Sequence, residues 1–288
     1  MNYHNRIQKS IDFIEENLDC DITLVQIANK AFCSLYHFHR IFQAMVGESV
    51  KEYIRKRRLT KAASDLIESG DKIIDIALKY QYKTHESFSR AFCEAFGVTP
   101  SGYRKEKNPI HAFTRVNLYE NIYTEKLEGV LSEPTIIYKE EMKVVGFKLS
   151  TCKENEADFK QIIKLWDRFF TRNLGDKIPN RKYPGTYLGY SCDFDEHLRY
   201  SYLACSEVKD FSVIPRGLVS KTIPASRYIA FKVKCPVADR IIDAWRYLYA
   251  VWLPNSGYEL NDKTDIDVIN QSLLFSDSSE MDIYIPIK

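Results

Sequence analysis

A repeat of 50 residues near the start of the chain constrains the fold more than any other feature of the sequence. The segment FHRIFQAMVGESVKEYIR (38–55) matches FSRAFCEAFGVTPSGYR (88–104), and the shared residues are all separated by 50 positions. The matched pairs are Phe38/Phe88, Arg40/Arg90, Phe42/Phe92, Gly47/Gly97, Ser49/Thr99 and Tyr53/Tyr103. A repeat of this period indicates one supersecondary unit that occurs twice in the fold.

The first copy of the repeat predicts two helices joined by a tight turn. Thr23 is a suitable N-cap for the first helix, and Ser34 is a suitable N-cap for a second helix over 35–45. Gly47 follows the second helix at the position where a left-handed C-cap residue is common. Two short helices with a turn of this length are typical of a helix-turn-helix unit.

The second copy repeats these signals, and one long helix joins the two copies. Thr84 precedes a helix over 85–96, which stops at Gly97. The intervening segment 50–69 contains no Gly or Pro, so we predict a single helix on the order of 30 Å long. That length is close to the spacing of successive major grooves on one face of B-DNA, about 34 Å. We therefore predict an all-α double helix-turn-helix DNA-binding domain over 1–107.

The helical period of YHFHRIF (36–42) decides the roles of its two histidines. In a helix His37 and His39 diverge by about 200°, which argues against a shared metal ion. The apolar residues of both second helices recur at three- and four-residue steps and predict a buried stripe, so the opposite faces are predicted to read bases and phosphates. The predicted DNA contacts are Tyr36, His37, His39, Arg40, Gln43, His85, Glu86, Ser89 and Arg90. An ion pair on the helix surface is the alternative role for Arg40 and for Arg90.

Composition alone does not indicate a nucleic-acid partner. The formal net charge is +2, and residues 1–107 hold 17 Lys+Arg against 14 Asp+Glu. Such a weak excess supports DNA binding only through its placement on the two reading helices. Seven cysteines without a C-x-x-C pair favour reduced thiols in a cytoplasm. No apolar run approaches the roughly 18 residues that a membrane span needs.

Two long segments of the first 107 residues carry a family resemblance. They are LVQIANKAFCSLYHFHRIFQAMVGESVKEYIRKRRLTKAASDL and KIIDIALKYQYKTHESFSRAFCEAFGVTPSGYR. The second segment contains I-x-x-I-A, then F-x-x-x-F, then G-x-[ST]-P-x-x-Y-R, and the domain resembles the DNA-binding domain of the AraC/XylS family of transcription regulators. The resemblance implies two recognition helices, 35–45 and 85–96, that enter successive major grooves of a promoter site. His85 and Glu86 stand where that family often has Gln.

A second repeat divides the rest of the chain. IIKLW (162–166) matches IIDAW (241–245) at an offset of 79. The elements predicted around each motif follow the order strand, helix, strand, strand: 144–150, 157–172, 186–192 and 200–208 in the first half, and 226–234, 237–251, 266–271 and 281–287 in the second. A duplicated βαββ unit predicts an α+β domain with a mixed or antiparallel sheet over 131–288. The residues 108–130 between the two domains are predicted to be a linker.

Aromatic residues concentrate in this second domain, which holds all three tryptophans of the chain. Two equivalent halves leave a groove between them, which is a usual place for a small ligand. Aromatic walls bind flat or cationic molecules by stacking and by cation–π attraction. A core position is the alternative role for Trp166 and Trp245, because the two are equivalent in the repeat.

Several segments of the second domain also carry a family resemblance. TIPASRYIAFKV, AWRYLYAVWLPNSGYEL and MDIYIPIK look like parts of the GyrI-like effector-binding domain. The resemblance implies a pocket for small, often cationic and lipophilic, compounds with an acidic residue at its base. Asp267 stands where the family has Glu, and Glu207 is the second acidic candidate. The predicted effector-binding residues are Trp166, Tyr187, Tyr202, Glu207, Trp245, Trp252 and Asp267.

These patterns together predict a multidomain transcription regulator that binds DNA and responds to a small molecule. The predicted partners are double-stranded promoter DNA, a small-molecule effector and RNA polymerase, without a membrane, a cofactor or a metal ion. The sequence contains no G-x-S-x-G elbow, no nucleotide-binding loop and no H-E-x-x-H, so an enzyme is not predicted. A hydrolase of small molecules and a protein-interaction module are the alternatives for the second domain.

Overall fold

The computed structural model of the chain describes residues 2–119, 133–152, 157–234, 238–271 and 280–288. The contacts between these residues divide the chain into two units. The first unit consists of Met1–Cys33 and Ile41–Ile122, and the second consists of Ser34–Arg40 and Tyr123–Lys288. The short segment Ser34–Arg40, which the sequence places in a reading helix of the first domain, therefore belongs to the second unit by its contacts.

Seven helices lie within the described residues 2–119. They are α1 (Tyr3–Glu16), α2 (Leu24–Lys30), α3 (Leu35–Val46), α4 (Val50–Glu68), α5 (Ile73–Lys79), α6 (His85–Phe96) and α7 (Pro100–Glu106). The pairs α2/α3 and α5/α6 are the two predicted helix-turn-helix units, and α4 is the predicted connecting helix. The structure adds α1 and α7, which the sequence analysis did not predict.

The predicted capping residues lie at the ends of these helices. Thr23 forms a reciprocal capping box with Gln26 at the start of α2, and Thr84 forms another with Ser87 at the start of α6. Gly97 ends α6 with φ at 73°, in the left-handed region that glycine adopts without a steric penalty. Because caps act through adjacent residues, the sequence predicted these helix boundaries closely.

The second helix-turn-helix unit packs around the inner face of α6. Phe88 and Phe92 are fully buried with ring centroids 5.6 Å apart, and Phe92 lies 5.7 Å from the ring of Tyr103 on α7. The rest of this core consists of Leu59, Ala62, Ala63, Leu66, Ile76, Ala77 and Tyr80. Burial of each large apolar side chain stabilises the unit by about 1.5–3 kcal/mol. This packing determines which face of α6 points outward.

Arg57 and Arg58 of the basic run RKRR (55–58) on α4 bind α1 and the turn that follows it. Arg57 Nε and Nη2 donate to the two carboxylate oxygens of Glu15 on α1 at 2.7 and 2.8 Å, and each side chain is only 9% exposed. Arg58 donates to two carbonyl oxygens in the turn after α1. These side chains therefore stabilise the packing of α1 against α4.

The segment after α7 is held to the first unit. The main-chain N–H of Phe113 donates to the Thr60 hydroxyl at 3.1 Å, and the N–H of Leu118 donates to Gln8 Oε1 at 2.9 Å. The described part of the predicted 108–130 linker thus packs as part of the first unit. The remainder of that predicted linker lies outside the described residues.

The second unit is built on an antiparallel sheet, with eight strands in the described residues. The strands are β1 (Thr135–Lys139), β2 (Met142–Cys152), β3 (Thr186–Cys192), β4 (Arg199–Glu207), β5 (Val219–Ile223), β6 (Ser226–Lys234), β7 (Ile266–Asn270) and β8 (Glu280–Ile287). Their order across the sheet is β1-β6-β8-β7-β3-β4-β2-β5. The predicted α+β class is confirmed, and the described sheet is antiparallel rather than mixed.

The strand order shows the predicted duplication. The set β2-β4-β3 on one side corresponds to β6-β8-β7 on the other, and the β3–β7 pairing joins the two halves. The leading strands are exchanged between the halves, because β1 precedes β2 in the chain but pairs with β6, whereas β5 precedes β6 but pairs with β2. The sequence analysis did not predict β1 and β5, which are five residues long each. Through these two pairings, β1–β6 and β5–β2, each half is hydrogen-bonded to a strand that lies before the other half in the chain.

Each half contributes one main helix. The helices are α8 (Ala157–Thr171) after β2 and α9 (Ala238–Tyr247) after β6, and α9 continues through a π-helical turn (Leu248–Trp252) into α10 (Leu253–Ser256). Phe169 of α8 packs with Tyr187, Tyr200 and Tyr202 of the sheet in one buried cluster. The candidate effector site lies next to this cluster.

Candidate effector site and DNA-reading surfaces

Hydrogen bonds link three of the predicted pocket residues on the sheet face beneath α8. The indole N–H of Trp166 donates to the Tyr202 hydroxyl at 2.9 Å, and that hydroxyl donates to Asp267 Oδ2 at 3.2 Å. Gly189 pairs with Asp267 across β3 and β7, and a methyl group at position 189 would collide with the Tyr202 hydroxyl. The missing side chain of Gly189 therefore allows Tyr202 and Asp267 to meet. Burial, followed by the charge of Asp267, raises the pKa of Tyr202 well above its usual value and keeps its proton available for donation.

A second carboxylate, Asp265, accepts hydrogen bonds at both of its oxygen atoms. The Tyr249 hydroxyl donates to Oδ1 at 2.7 Å, and the Tyr36 hydroxyl donates to Oδ2 at 2.6 Å. Arg40 Nε lies 3.0 Å from the same Oδ2 and donates to the Tyr36 hydroxyl oxygen at 2.8 Å. The Asp265 side chain is 2% exposed, and a carboxylate so far from water is stable only with partners of this kind.

Aromatic rings surround the guanidinium group of Arg40. Its central carbon lies 4.1 Å from the ring centroid of Trp245, 5.3 Å from that of Tyr36 and 5.9 Å from that of Tyr249. Aromatic faces at these distances attract a cation. Burial alone would lower the pKa of Arg40, but Tyr36 and Asp265 raise that pKa well above its usual value, so the group stays charged. We call Trp245, Tyr249 and Asp265 the cation box.

Helical spacing builds this cluster from two directions. Trp245 and Tyr249 are four residues apart on α9 and the π-helical turn, and their rings stack with centroids 5.8 Å apart and an interplanar angle of 23°. Tyr36 and Arg40 are also four residues apart, on α3, and both contact Asp265. The sequence analysis missed Tyr249 and Asp265. The Trp–Tyr spacing was a readable signal, but nothing local distinguishes Asp265 from the neighbouring aspartates.

Glu207 is the second acidic candidate among the predicted pocket residues. It lies five residues from Tyr202 along β4, so the two side chains point to opposite faces of the sheet. Its carboxylate forms a salt bridge with Lys182 at 2.8 Å. Glu207 therefore lies on the other face of the sheet from Tyr202, and its role as the second acidic group of the pocket stays a prediction.

Tyr187 and Trp252 pack against other aromatic rings of the second unit. The Tyr187 ring lies 4.9 Å from the ring of Phe169, and the residue is 3% exposed. The Trp252 ring contacts Phe231 edge-on at 4.7 Å and stacks on Tyr258 at 6.0 Å. Of the seven predicted pocket residues, Trp166, Tyr202, Trp245 and Asp267 lie in the hydrogen-bonded and aromatic clusters around the two aspartates.

The outward face of α6 is open, as predicted. His85, Glu86 and Arg90 are exposed, and Ser89 is half-buried. Glu86 and Arg90 lie on the face opposite the buried Phe88, and His85 is exposed in the first turn of the helix. The contact of each of these side chains with a base or a phosphate stays a prediction.

The corresponding face of α3 is covered, and the prediction that it points to solvent is wrong. The residues concerned are Tyr36, His37, His39, Arg40 and Gln43. Tyr36 is 5% exposed, His37 1% and His39 3%, whereas Gln43 is half-buried. His37 Nε2 lies 2.7 Å from the carbonyl oxygen of Lys263, and Arg40 is held at Asp265. The helical period identifies a polar face, but it does not say which surface covers that face.

The described residues form neither a metal cluster nor a membrane-spanning helix. Among the described residues, no group of three or more His, Cys, Asp and Glu side chains is arranged to hold a metal ion. No helix in the described part of the chain is both long and apolar enough to cross a membrane.

Two helix-turn-helix units followed by a duplicated antiparallel-sheet domain are the parts of a DNA-binding regulator with an effector-binding domain. The chain matches the integron-associated effector binding protein family over residues 135–287, more than half of its length. It matches the helix-turn-helix domain family over residues 27–106. The chain belongs to the AraC-type transcription regulators that carry an effector-binding domain of this integron-associated, GyrI-like family.

The chain is also similar to individual proteins and to solved structures. YbfP of Bacillus subtilis strain 168, described as an uncharacterised HTH-type transcriptional regulator, is 45% identical over 186 residues, which cover 60% of this chain and 62% of that protein. The transposon Tn10 TetD protein of Escherichia coli is 43% identical over 106 residues, which cover 36% of this chain and 77% of that protein. The solved structure of SAV2435 bound to tetraphenylphosphonium has a TM-score of 0.48 and 13% identity, and the match covers 55% of this chain and 94% of that one.

Proposed function

We propose that this protein binds a single promoter site on double-stranded DNA and regulates transcription there in response to a small organic cation. The observation that carries the effector half is the position of Arg40, a positively charged group held by a buried carboxylate and aromatic faces. Regulation would act on RNA polymerase at that promoter, in the cytoplasm. A transcription assay with purified polymerase, with and without the protein, tests this last step.

The cation box supplies two attractions that bind an organic cation. Trp245 offers a ring face, and Asp265 offers a negative charge where little water screens it. Asp267 lies two residues further along the chain, and Tyr202 donates a hydrogen bond to it. Two carboxylates in one partly dry region favour a positively charged ligand over a neutral one.

The DNA half of the proposal rests on the helix-turn-helix units. Arg90 lies on the open face of α6, where its planar fork suits guanine O6 and N7. His85 and Glu86 lie in the first turn of the same helix, the part of a recognition helix that contacts base edges. The connecting helix α4 has 19 residues and spans on the order of 28 Å, close to the spacing of adjacent major grooves.

The DNA half is tested by selecting bound fragments from random duplexes and measuring affinity for the selected site over a salt series. We expect a protected region of about 20 base pairs and a linear fall of log affinity with log salt. Arg90→Ala should weaken binding by about 1–3 kcal/mol and relax the preference at one position. Arg115→Ala removes an exposed arginine outside both reading helices and should leave the preference intact. A footprint that covers only one groove, or an affinity that does not change with salt concentration, contradicts the proposal.

The effector half is tested by tryptophan fluorescence, because all three tryptophans lie in the second unit. We expect organic cations such as benzamidinium or tetraphenylphosphonium to quench the signal with micromolar affinity. Asp265→Asn and Asp267→Asn should weaken this binding, whereas Glu207→Gln, which alters a carboxylate on the other face of the sheet, should not. If all three variants lose the same affinity for the cation, or if none loses any, Asp265 and Asp267 do not bind the cation.

A further inference from the structure

Arg40 has two roles that exclude each other. The repeat places it at the position equivalent to Arg90, on the face of a DNA-reading helix. In the structure its side chain is 19% exposed and lies at the cation box, with Nε 3.0 Å from Asp265 Oδ2. A guanidinium group in this position is not available to a guanine base.

The segment around Arg40 is held by several contacts of the same unit. The Tyr36 hydroxyl donates to Asp265, and the Tyr36 ring lies 4.7 Å from the ring of Phe194. His37 Nε2 lies 2.7 Å from the Lys263 carbonyl oxygen. Tyr36 and His37, two further residues of the predicted DNA-contacting face, are therefore buried beside Arg40 and are not available to DNA in this structure.

We propose that Arg40 is the internal ligand of the cation box and that the effector is a planar cation with N–H donors, an amidinium or a guanidinium, which replaces Arg40 and releases Ser34–Arg40 for DNA. This inference rests on the proposed function, because it assigns the ligand class and the regulation of the same site. The effector and the DNA-reading segment then compete for one carboxylate.

The ligand class follows from the hydrogen bonds that are lost on release. Asp265 Oδ2 receives the Tyr36 hydroxyl and lies beside Arg40 Nε, and both leave together because they belong to one helix. A buried carboxylate oxygen without a donor is strongly destabilised. A planar N–H cation restores the donors and stacks its flat face on Trp245, as the guanidinium of Arg40 does. A phosphonium or quaternary ammonium ion satisfies the ring faces but offers no N–H.

The competition predicts how affinity changes when the internal ligand is removed. A ligand whose site is open only part of the time binds more weakly, in proportion to the open fraction. If Arg40 fills the box nine-tenths of the time or more, then Arg40→Ala should tighten benzamidinium binding by about tenfold or more. Arg40→Lys keeps the charge but lacks the planar fork, so its affinity should lie between those of the wild type and Arg40→Ala.

The experiment titrates the full-length chain with benzamidinium and, separately, with tetraphenylphosphonium, and follows tryptophan fluorescence. Arg115→Ala is the matched control, because it removes an exposed arginine of the first unit and should keep wild-type affinity for both probes. Arg40→Ala should tighten the binding of both probes by a similar factor, because both compete with Arg40, and the opened box should bind benzamidinium more tightly than tetraphenylphosphonium. A thermal melt of each variant confirms that the second unit is folded. Footprinting of the wild-type chain on its selected DNA should show stronger protection of one half of the site when benzamidinium is added.

The outcomes separate this inference from the proposed function. If benzamidinium binds the wild type and Arg40→Ala with equal affinity, the effector site stands and the internal-ligand inference is overturned. If tetraphenylphosphonium binds Arg40→Ala as tightly as benzamidinium does, the assigned ligand class is overturned. If neither probe binds any folded variant, the cation effector itself is excluded, and the inference falls with it.

Discussion

Replacing Asp265 by asparagine should destabilise the second unit, because one carboxylate serves three partners. Its oxygens accept hydrogen bonds from Tyr249 at 2.7 Å and Tyr36 at 2.6 Å, and Arg40 Nε lies at 3.0 Å. Asparagine has nearly the same volume, so the change removes the charge and one acceptor without leaving a cavity. The NH₂ group that replaces one oxygen then faces a hydroxyl or a guanidinium donor.

The size of the effect follows from these contacts. Hydrogen bonds to a charged group contribute about 1.5–3 kcal/mol each, and loss of one member of a buried ion pair destabilises by about 3–5 kcal/mol. The Arg40 side chain is 19% exposed, so solvent offsets part of the loss. We therefore expect the free energy of unfolding of the second unit to fall by about 2–4 kcal/mol. With a urea m-value of about 2 kcal/mol per molar, the midpoint should fall by about 1–2 M.

Urea unfolding followed by tryptophan fluorescence measures this change, because the three tryptophans report on the second unit. Asp243→Asn is the matched control, since Asp243 is 52% exposed and its contact with Arg246 is a surface pair at 3.8 Å. Such pairs contribute about 0–1 kcal/mol, so the control midpoint should hardly move. A midpoint for Asp265→Asn that coincides with that of Asp243→Asn would refute the account of the cation box.

Three further predictions concern single sites. Gly189→Ala should push the Tyr202 hydroxyl away from Asp267 and lower the free energy of unfolding of the second unit. It should also change the fluorescence of Trp166, whose indole donates to that hydroxyl, and an unchanged emission spectrum would contradict the close approach of Gly189 to Tyr202. Arg57→Ala should lower the free energy of unfolding of the first unit by about 3–5 kcal/mol, measured by helical circular dichroism, because Glu15 loses its buried partner. Burial raises the pKa of the Cys192 thiol to about 12, so at pH 8 it should react far more slowly with a thiol reagent than the exposed Cys93, as mass spectrometry of the labelled peptides will show.

Much of the fold was predictable because its signals are local or repeated. The caps at Thr23 and Thr84 and the break at Gly97 act through neighbouring residues, so the helix boundaries followed from the sequence. The two repeats predicted the pair of helix-turn-helix units and the duplicated βαββ order, and both are present. The exchange of β1 and β5 between the halves was not predictable, because a short strand carries no mark of the strand with which it pairs.

The candidate effector site was predictable only in part. Asp267, Trp166 and Tyr202 were named from the sequence, and the structure joins them by hydrogen bonds. Glu207 and Tyr202 point to opposite faces of the sheet because side chains alternate along β4, and this alternation becomes informative only when the faces of the sheet are assigned. Asp265 could not be identified from the sequence, because its partners Tyr36, Arg40 and Tyr249 lie on other elements and at least 16 positions away.

The sequence by itself predicted the class of this protein, the presence of α3 and α6, and the identity of the polar face on each. These properties depend on the 3.6-residue and two-residue periods, on caps and on repeats, which are all set by nearby residues. Only the tertiary structure decided that the face of α6 is open while the start of α3 is held at Asp265. That difference arises from contacts between residues far apart in sequence, such as Tyr36 and Asp265, which are 229 positions apart. The guanidinium of Arg40 is attracted to the same place by the buried carboxylate and by the ring face of Trp245.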